Sequence, residues 1–234
     1  MIIVDPSESR FRTELDWLSS RLSFSFADHY DPQREGFGPL KVFNNDTIKG
    51  NHGFGAHPHR EMEIVSVVLA GQLKHEDSLG NTAVTGFGGV QRMSAGTGII
   101  HSEVNPADED CTLVQIWITP ADTEREPSYE TSHYDPAALN GRLLPIVSPG
   151  GGEGVSSIGQ DATIYMSRLS GGEAVTFRQA KGRRSFLFLF DGGLAVNGGH
   201  QLTKQGDAIR AENEQELELL ARDGGAFFLL IDLP

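Results

Sequence analysis

Residues 53–71 read GFGAHPHREMEIVSVVLAG, and residues 93–105 read MSAGTGIIHSEVN. The first run contains IVSVVLA, rich in β-branched side chains and closed by Gly71. Such residues fit a pleated, half-buried surface, and glycine punctuates it, so the run predicts a strand. His57 and His59 are spaced i, i+2, as are His101 and Glu103. Successive side chains alternate faces along a strand, so each pair should point one way. If the two strands are neighbours in a barrel, three imidazoles and one carboxylate converge on an interior point. The spacing predicts a metal centre.

Working outward, the same punctuation recurs. QLKHED follows Gly71, SLGN makes a turn, and TAVTGF, VQRM and IIHSEV are separated by the glycine pair Gly88-Gly89 and by SAGTG. LVQIWITP ends the half at Pro120. Short strands with glycine-marked turns at roughly ten-residue spacing point to an all-β barrel or sandwich. Upstream, TELDWLSSRL over residues 13–22 predicts a short helix, HYDPQREGFGPLK reads as a loop, and Leu40 to Ile48 as a strand. Downstream, residues 121–160 are polar and turn-rich, with a short helix expected after Pro136. SPGGGEGVSSIG, residues 148–159, predicts an exposed mobile loop.

The strand pattern then resumes. SFLFLFDGGLAVNG repeats the earlier order of apolar strand, glycine turn and second strand, and LTKQGDAIRA parallels AVTGFGGVQRMSA. This self-similarity suggests two related barrels in tandem. The expected division is residues 1–130, carrying the metal, and residues 131–234, a connecting segment and a second barrel. Counting back from Gly192 as from Gly71, Arg178 and Ala180 stand where His57 and His59 do, and no histidine follows Gly206. The second barrel is therefore expected to be structural or gating, without ligands of its own.

The chain has 234 residues, a formal net charge of −13 and 28 glycines. That charge disfavours direct nucleic-acid binding and attraction to anionic membranes, both of which depend on clustered Lys and Arg. Cys111 is the single cysteine, so no intrachain disulfide forms, and it sits in the apolar run CTLVQIWI as a buried structural thiol. The opening MIIVDPSESRF lacks the pattern of a signal peptide. A soluble, cytoplasmic protein is expected.

Three imidazoles and a carboxylate fill four positions, leaving an octahedral ion two free sites. Catalytic zinc usually has three protein ligands and water, so this set matches Fe(II), Mn(II), Ni(II) or Co(II) better, with copper and zinc as competitors. Around it, His75 and Asp77 share a strand face; Asp77 reads as a turn residue, and His75 is open between a pocket and a turn role. Asn105, two residues beyond Glu103, is expected to orient the ligand carboxylate by a hydrogen bond. Gln115 and Trp117 are candidates for the cavity border, with core packing preferred for Trp117. His29, His52 and His133 read as surface residues, and Phe186, Phe188 and Phe190 as a core stripe.

GFGAHPHREMEIVSVVLAG resembles the first cupin motif, and GVQRMSAGTGIIHSEVN the second, with Ser94-Ala95-Gly96 where most cupins have Pro-x-Gly. The chain as a whole resembles the pirin family, in its bacterial branch similar to quercetin dioxygenases. SFSFADHYDP, HPHREMEI, HEDSLGN, QRMSAGTGIIHSEVNP, LVQIWITP with PSYE, and FLLIDLP carry that resemblance, which thins from Ser148 to Gln179. It implies an all-β fold of two tandem cupin (jelly-roll) β-barrels with few short helices. It also implies one divalent metal, Fe(II) first, held by His57, His59, His101 and Glu103, with Glu63 left either to support a ligand by hydrogen bonding or to a structural role. The activity implied is quercetinase-type: a flavonol binds through its 3-hydroxyl oxygen, Glu103 takes the proton, and O2 opens the heterocycle with release of carbon monoxide. The alternative is a non-catalytic iron-binding pirin, a metal- or redox-responsive regulator that binds a protein partner.

Overall fold

A computed structural model describes residues 1–234. Its chain folds into two compact units. One comprises Phe11–Tyr134 and Pro149–Gln160; the other comprises Met1–Arg10, Asp135–Ser148 and Asp161–Pro234. Regular structure is almost entirely strand, with two 3-10 turns, Ser7–Ser9 and Pro136–Leu139, as the only helical elements. The all-β architecture expected from the glycine-punctuated runs is the one adopted, and Pro136 does open a helical turn, capped by the Asp135 side chain.

In the first unit two antiparallel sheets share a core. Seven strands run in the spatial order Ser128–His133, Gly89–Ser94, Glu63–Ala70, Cys111–Ile118, Leu40–Ile48, Leu18–Leu22 and Phe11–Glu14. Four run in the order Gly53–His59, Ile99–Val104, Gln72–Asp77 and Thr82–Gly86. Glu63–Ala70 is central in its sheet, and every residue from Glu63 to Val68 is buried, which accounts for an apolar run without alternation. Leu73 of the smaller sheet packs with Ile48, Val68 and Leu113 of the larger one. At Gly71 the chain crosses from one sheet to the other rather than reversing. Its φ is +72°, and a Cβ there would lie 2.4 Å from the carbonyl oxygen of Asp110.

Two expectations change here. Residues 13–22 form no helix: Phe11–Glu14 and Leu18–Leu22 pair as a hairpin. Leu18, Ser20 and Leu22 are buried while Ser19 and Arg21 are less so, a period of two that decides for a strand once the neighbouring Leu40–Ile48 strand is available. The serine- and glycine-rich segment is not wholly an exposed loop either. Ser156 and Ile158 are buried, and Ser157 bonds Glu130 through its backbone N–H and its hydroxyl.

In the second unit the strands Ile2–Asp5, Ala208–Glu212, Arg184–Val196, Glu216–Leu233, Thr163–Leu169 and Leu144–Ser148 follow one another across a sheet. Phe186, Phe188 and Phe190 are buried as the core stripe expected of them. The two Asp-Gly-Gly sequences, 191–193 and 223–225, are not hairpin turns. They are bends within continuous strands of 13 and 18 residues, where the register between the strands shifts. Gly192 has φ +80°, and a Cβ on it would lie 2.1 Å from the carbonyl oxygen of Gly225. Gly192→Ala should therefore cost at least about 2 kcal/mol, from left-handed strain and backbone overlap together. Denaturant unfolding checks this; an unchanged midpoint would mean that the bend is not tightly packed.

No helix is long and apolar enough to cross a membrane.

Candidate metal centre

The strands carrying the two ligand pairs are neighbours. Gly53–His59 runs antiparallel to Ile99–Val104, with His57 opposite His101 and His59 opposite Ile99. Direct cross-strand partners stand close enough for side chains to meet, and the i, i+2 spacing adds His59 to the same face. One ring nitrogen from each of His57, His59 and His101 lies within 4.8 Å of the others. Between His101 and Glu103 the register slips, so that Glu103 pairs with Phe54. The irregularity re-aims the side chains that follow it.

The nitrogens are arranged as donors to a cation. His57 Nδ1 lies 2.7 Å from the carbonyl oxygen of Gly55, which can only accept, so the proton is on Nδ1 and the Nε2 lone pair is free. His57 Nε2 faces His101 Nε2 at 3.1 Å. That is about the separation of two nitrogens on adjacent coordination positions with bonds of about 2.1 Å. His59 Nε2 is buried and has no hydrogen-bond partner. Burial depresses the His59 pKa to about 4 and that of His101 to about 3, with the neighbouring imidazoles adding to the shift, so both rings are neutral near pH 7. Neutral imidazoles with converging lone pairs and an orphaned buried nitrogen fit a divalent transition metal.

Glu103 is buried to 3% exposure and lies among acceptor-seeking donors. The Ser66 hydroxyl donates to Oε1 at 2.9 Å and the Gln115 amide to Oε2 at 2.5 Å. Burial pushes its carboxyl above the ordinary carboxylate range, and these two hydrogen bonds oppose the shift. The Gln115 amide is itself oriented by Trp117, whose indole N–H donates to its oxygen at 3.0 Å. Trp117 is thus more than core: it stands edge-on to His59 and Phe26 and lines a cavity of about 290 Å³ with His57, Glu103 and Gln115. Leu18, Leu22, Phe26 and Phe54 supply apolar wall, and Ser20, Asn44 and Asp46 a polar part.

Other candidates fall elsewhere. Glu63 lies on the opposite strand face to Ser66 and accepts from the Ser94 hydroxyl at 2.7 Å. Asn105 does not reach Glu103. Its amide donates to the carbonyls of Ile48 and Glu109 and its oxygen accepts from Ala107 N–H, because the turn after the strand presents backbone groups that need partners. His52 and His133 are exposed, whereas His29 is half-buried, stacked on Phe11 and in hydrogen-bond reach of Thr13. His75 is buried against His101, and Asp77 serves both a turn and His75. Cys111 is fully buried, and burial pushes its thiol up to about 12, so it is no nucleophile. Ser66 was not singled out by the spacing argument; its signal was a lone hydroxyl in an otherwise apolar strand.

The Pirin family model matches residues 5–118, and one described as the quercetinase C-terminal cupin domain matches residues 145–233. A protein of Escherichia coli K12 named quercetin 2,3-dioxygenase is 39% identical over 235 residues, covering 100% of this chain and 99% of its own length. The crystal structure of the bacterial pirin YhhW from Escherichia coli in complex with nickel(II) superposes with a TM-score of 0.93 at 36% identity, covering 100% of this chain and 99% of the other. A quercetin 2,3-dioxygenase structure from Acinetobacter baumannii, at 20% identity and TM-score 0.75, covers 95% of this chain and 83% of the other and shares the fold. Two cupin-type matches in tandem and full-length identity of this size agree with the paired-histidine sheet described above, and the chain belongs to the pirin family.

Proposed function

We propose that this protein is a metal-dependent dioxygenase of the quercetinase type, which opens the heterocycle of a flavonol with O2. The observation that carries the reading is one arrangement: three imidazoles converge, and one of them, His57, lines a largely apolar cavity together with the buried Glu103 carboxylate. The cavity volume of about 290 Å³ lies just below the usual range of ligand pockets, about 300–1,000 Å³, and so favours a compact substrate. The name of the full-length relative supports the activity, and the nickel(II) in the pirin neighbour's name supports a divalent metal.

In this reading His57, His59 and His101 hold the metal with Glu103, and Fe(II) is the first candidate for its identity. When bound, a divalent ion supplies Lewis-acid activation of a coordinated hydroxyl. Glu103 accepts the proton of the substrate 3-hydroxyl; the burial that raises its carboxyl makes it the stronger base. Ser66 and Gln115 hold the two carboxylate oxygens in place, and Trp117 holds Gln115. Phe26, Phe54 and Trp117 offer flat apolar surface to the rings and keep water from them. The chemistry belongs to residues 1–130; residues 131–234 contribute no ligand to it.

The test is direct. Protein reloaded in turn with Fe(II), Mn(II), Ni(II) or Co(II) is mixed with quercetin under air while flavonol absorbance and carbon monoxide are followed. Metal-dependent bleaching with release of carbon monoxide is expected. Absence of turnover with every metal, at verified occupancy, would overturn the assignment.

A further inference from the structure

Behind His101, away from His57, lies a buried chain of polar groups. His101 Nδ1 is 3.2 Å from His75 Nδ1, and His75 Nε2 is 3.0 Å from Asp77 Oδ2. His75 is 1% exposed, and the Asp77 side chain is wholly buried. Tyr129 stacks on the His75 ring at 3.9 Å and 7°, which fixes its plane.

The direction of these hydrogen bonds follows from the far end. Asp77 Oδ1 accepts from the backbone N–H groups of Leu79 and Asn81, and Asn81 Nδ2 donates to both carboxylate oxygens. Asp77 is held there as an acceptor, so His75 Nε2 donates to Oδ2. In a neutral ring the other nitrogen then carries a lone pair. His75 Nδ1 accepts, and His101 Nδ1 must donate. His101 is left with its proton on Nδ1 and its lone pair on Nε2, the nitrogen that faces His57 Nε2.

We propose that His75 and Asp77 are positioning residues that lock His101 in the metal-binding tautomer. This rests on the metal reading of the histidine cluster. The role would explain why a histidine and a carboxylate are kept buried on the strand adjoining the ligand strand, where Glu103 pairs with His75 and His101 with Asp77. A partner on the second ring nitrogen of a ligating histidine fixes its orientation, and losing that partner typically costs 10–100-fold in metal affinity.

The near-isosteric Asp77→Asn separates this from a packing role. Two backbone N–H groups keep the amide oxygen on the turn side, so the amide nitrogen, a donor, faces His75 Nε2. His75 must then carry its proton on Nδ1 and donate to His101 Nδ1, which moves the His101 proton to Nε2. Ni(II) affinity, measured by chelator competition, should fall about 10–100-fold for Asp77→Asn and for His75→Phe, which keeps a ring against Tyr129. His75→Asn places an acceptor at the Nδ1 position and should stay within about threefold of the parent. In the metal-free protein, histidine ¹⁵N shifts should show His101 protonated on Nδ1 in the parent and on Nε2 in Asp77→Asn. Parent-like affinity and an unchanged His101 tautomer in folded Asp77→Asn would overturn the proposal. A parent protein that binds no Ni(II) would instead overturn the metal reading beneath it.

Discussion

His101→Ala should lose metal binding by more than about 100-fold, beyond the 10–100-fold that partners outside the ligand set command. Flavonol turnover should fall with it. The argument rests on the position of His101 between two sets of contacts. Its Nε2 faces His57, its Nδ1 faces His75, and its ring lies 4.8 Å from that of His59. Removing it takes one donor from the cluster and leaves His75 Nδ1 without its neighbour. Unfolding is not the expected outcome. An unsatisfied buried acceptor costs about 1–3 kcal/mol, and in the metal-free parent two facing nitrogen lone pairs already repel. Thermal unfolding with and without Ni(II) separates the two effects. At a free metal concentration of about 100 times Kd, a native-state ligand stabilises by about 2.7 kcal/mol, or about 5–10 °C for a chain of this size. The parent should show that shift and His101→Ala should not. An equal shift in both would remove His101 from the site.

The histidine cluster was legible in the sequence because its determinants are local. Spacing of i, i+2 on a strand decides which side chains share a face, and His57, His59 and His101 needed only the adjacency of two strands to meet. The partners were less legible because they depend on register. Nothing in the order of residues says that Ser66, in the larger sheet, faces Glu103, or that Asn105 turns its amide to backbone carbonyls. Trp117 illustrates the same limit: its spacing from Gln115 was visible, but its edge-on contact with His59 arises from the packing of one sheet over another. The helix expected over residues 13–22 failed for a related reason. A short amphipathic run can serve either period, and the free edge of the Leu40–Ile48 strand decided it. In the second unit the sequence predicts a glycine turn between two strands, and the structure has one continuous strand instead, because a glycine can bend a strand as readily as end it. The register against Glu216–Leu233 distinguishes the two.

Glu103→Gln should be the most damaging conservative change in the protein. Both carboxylate oxygens of Glu103 accept, one from Ser66 and one from Gln115. An amide at this position presents a donor to one of them. Gln115 cannot readily turn to accommodate it, because Trp117 Nε1–H already donates to its oxygen. The variant therefore keeps its amide oxygen on Gln115, turns its amide nitrogen to the Ser66 hydroxyl, which can rotate to accept, and loses the proton-accepting carboxylate. Loss of a general base alone costs about 10²–10⁴-fold in rate, and weaker metal retention adds to it. Glu63→Gln is the matched control. Glu63 is equally buried, at 2% against 3% exposure, but it faces Ser94 on the other side of its strand. An amide oxygen can still accept from that hydroxyl, so metal content and turnover should stay near the parent's. Elemental analysis after gel filtration, with quercetin bleaching on the same samples, reads both quantities. Should Glu63→Gln shed the metal while Glu103→Gln keeps it, the carboxylate ranking is reversed. Should both keep it with only Glu103→Gln inactive, Glu103 acts as the base without being a ligand, and the metal rests on the three histidines alone.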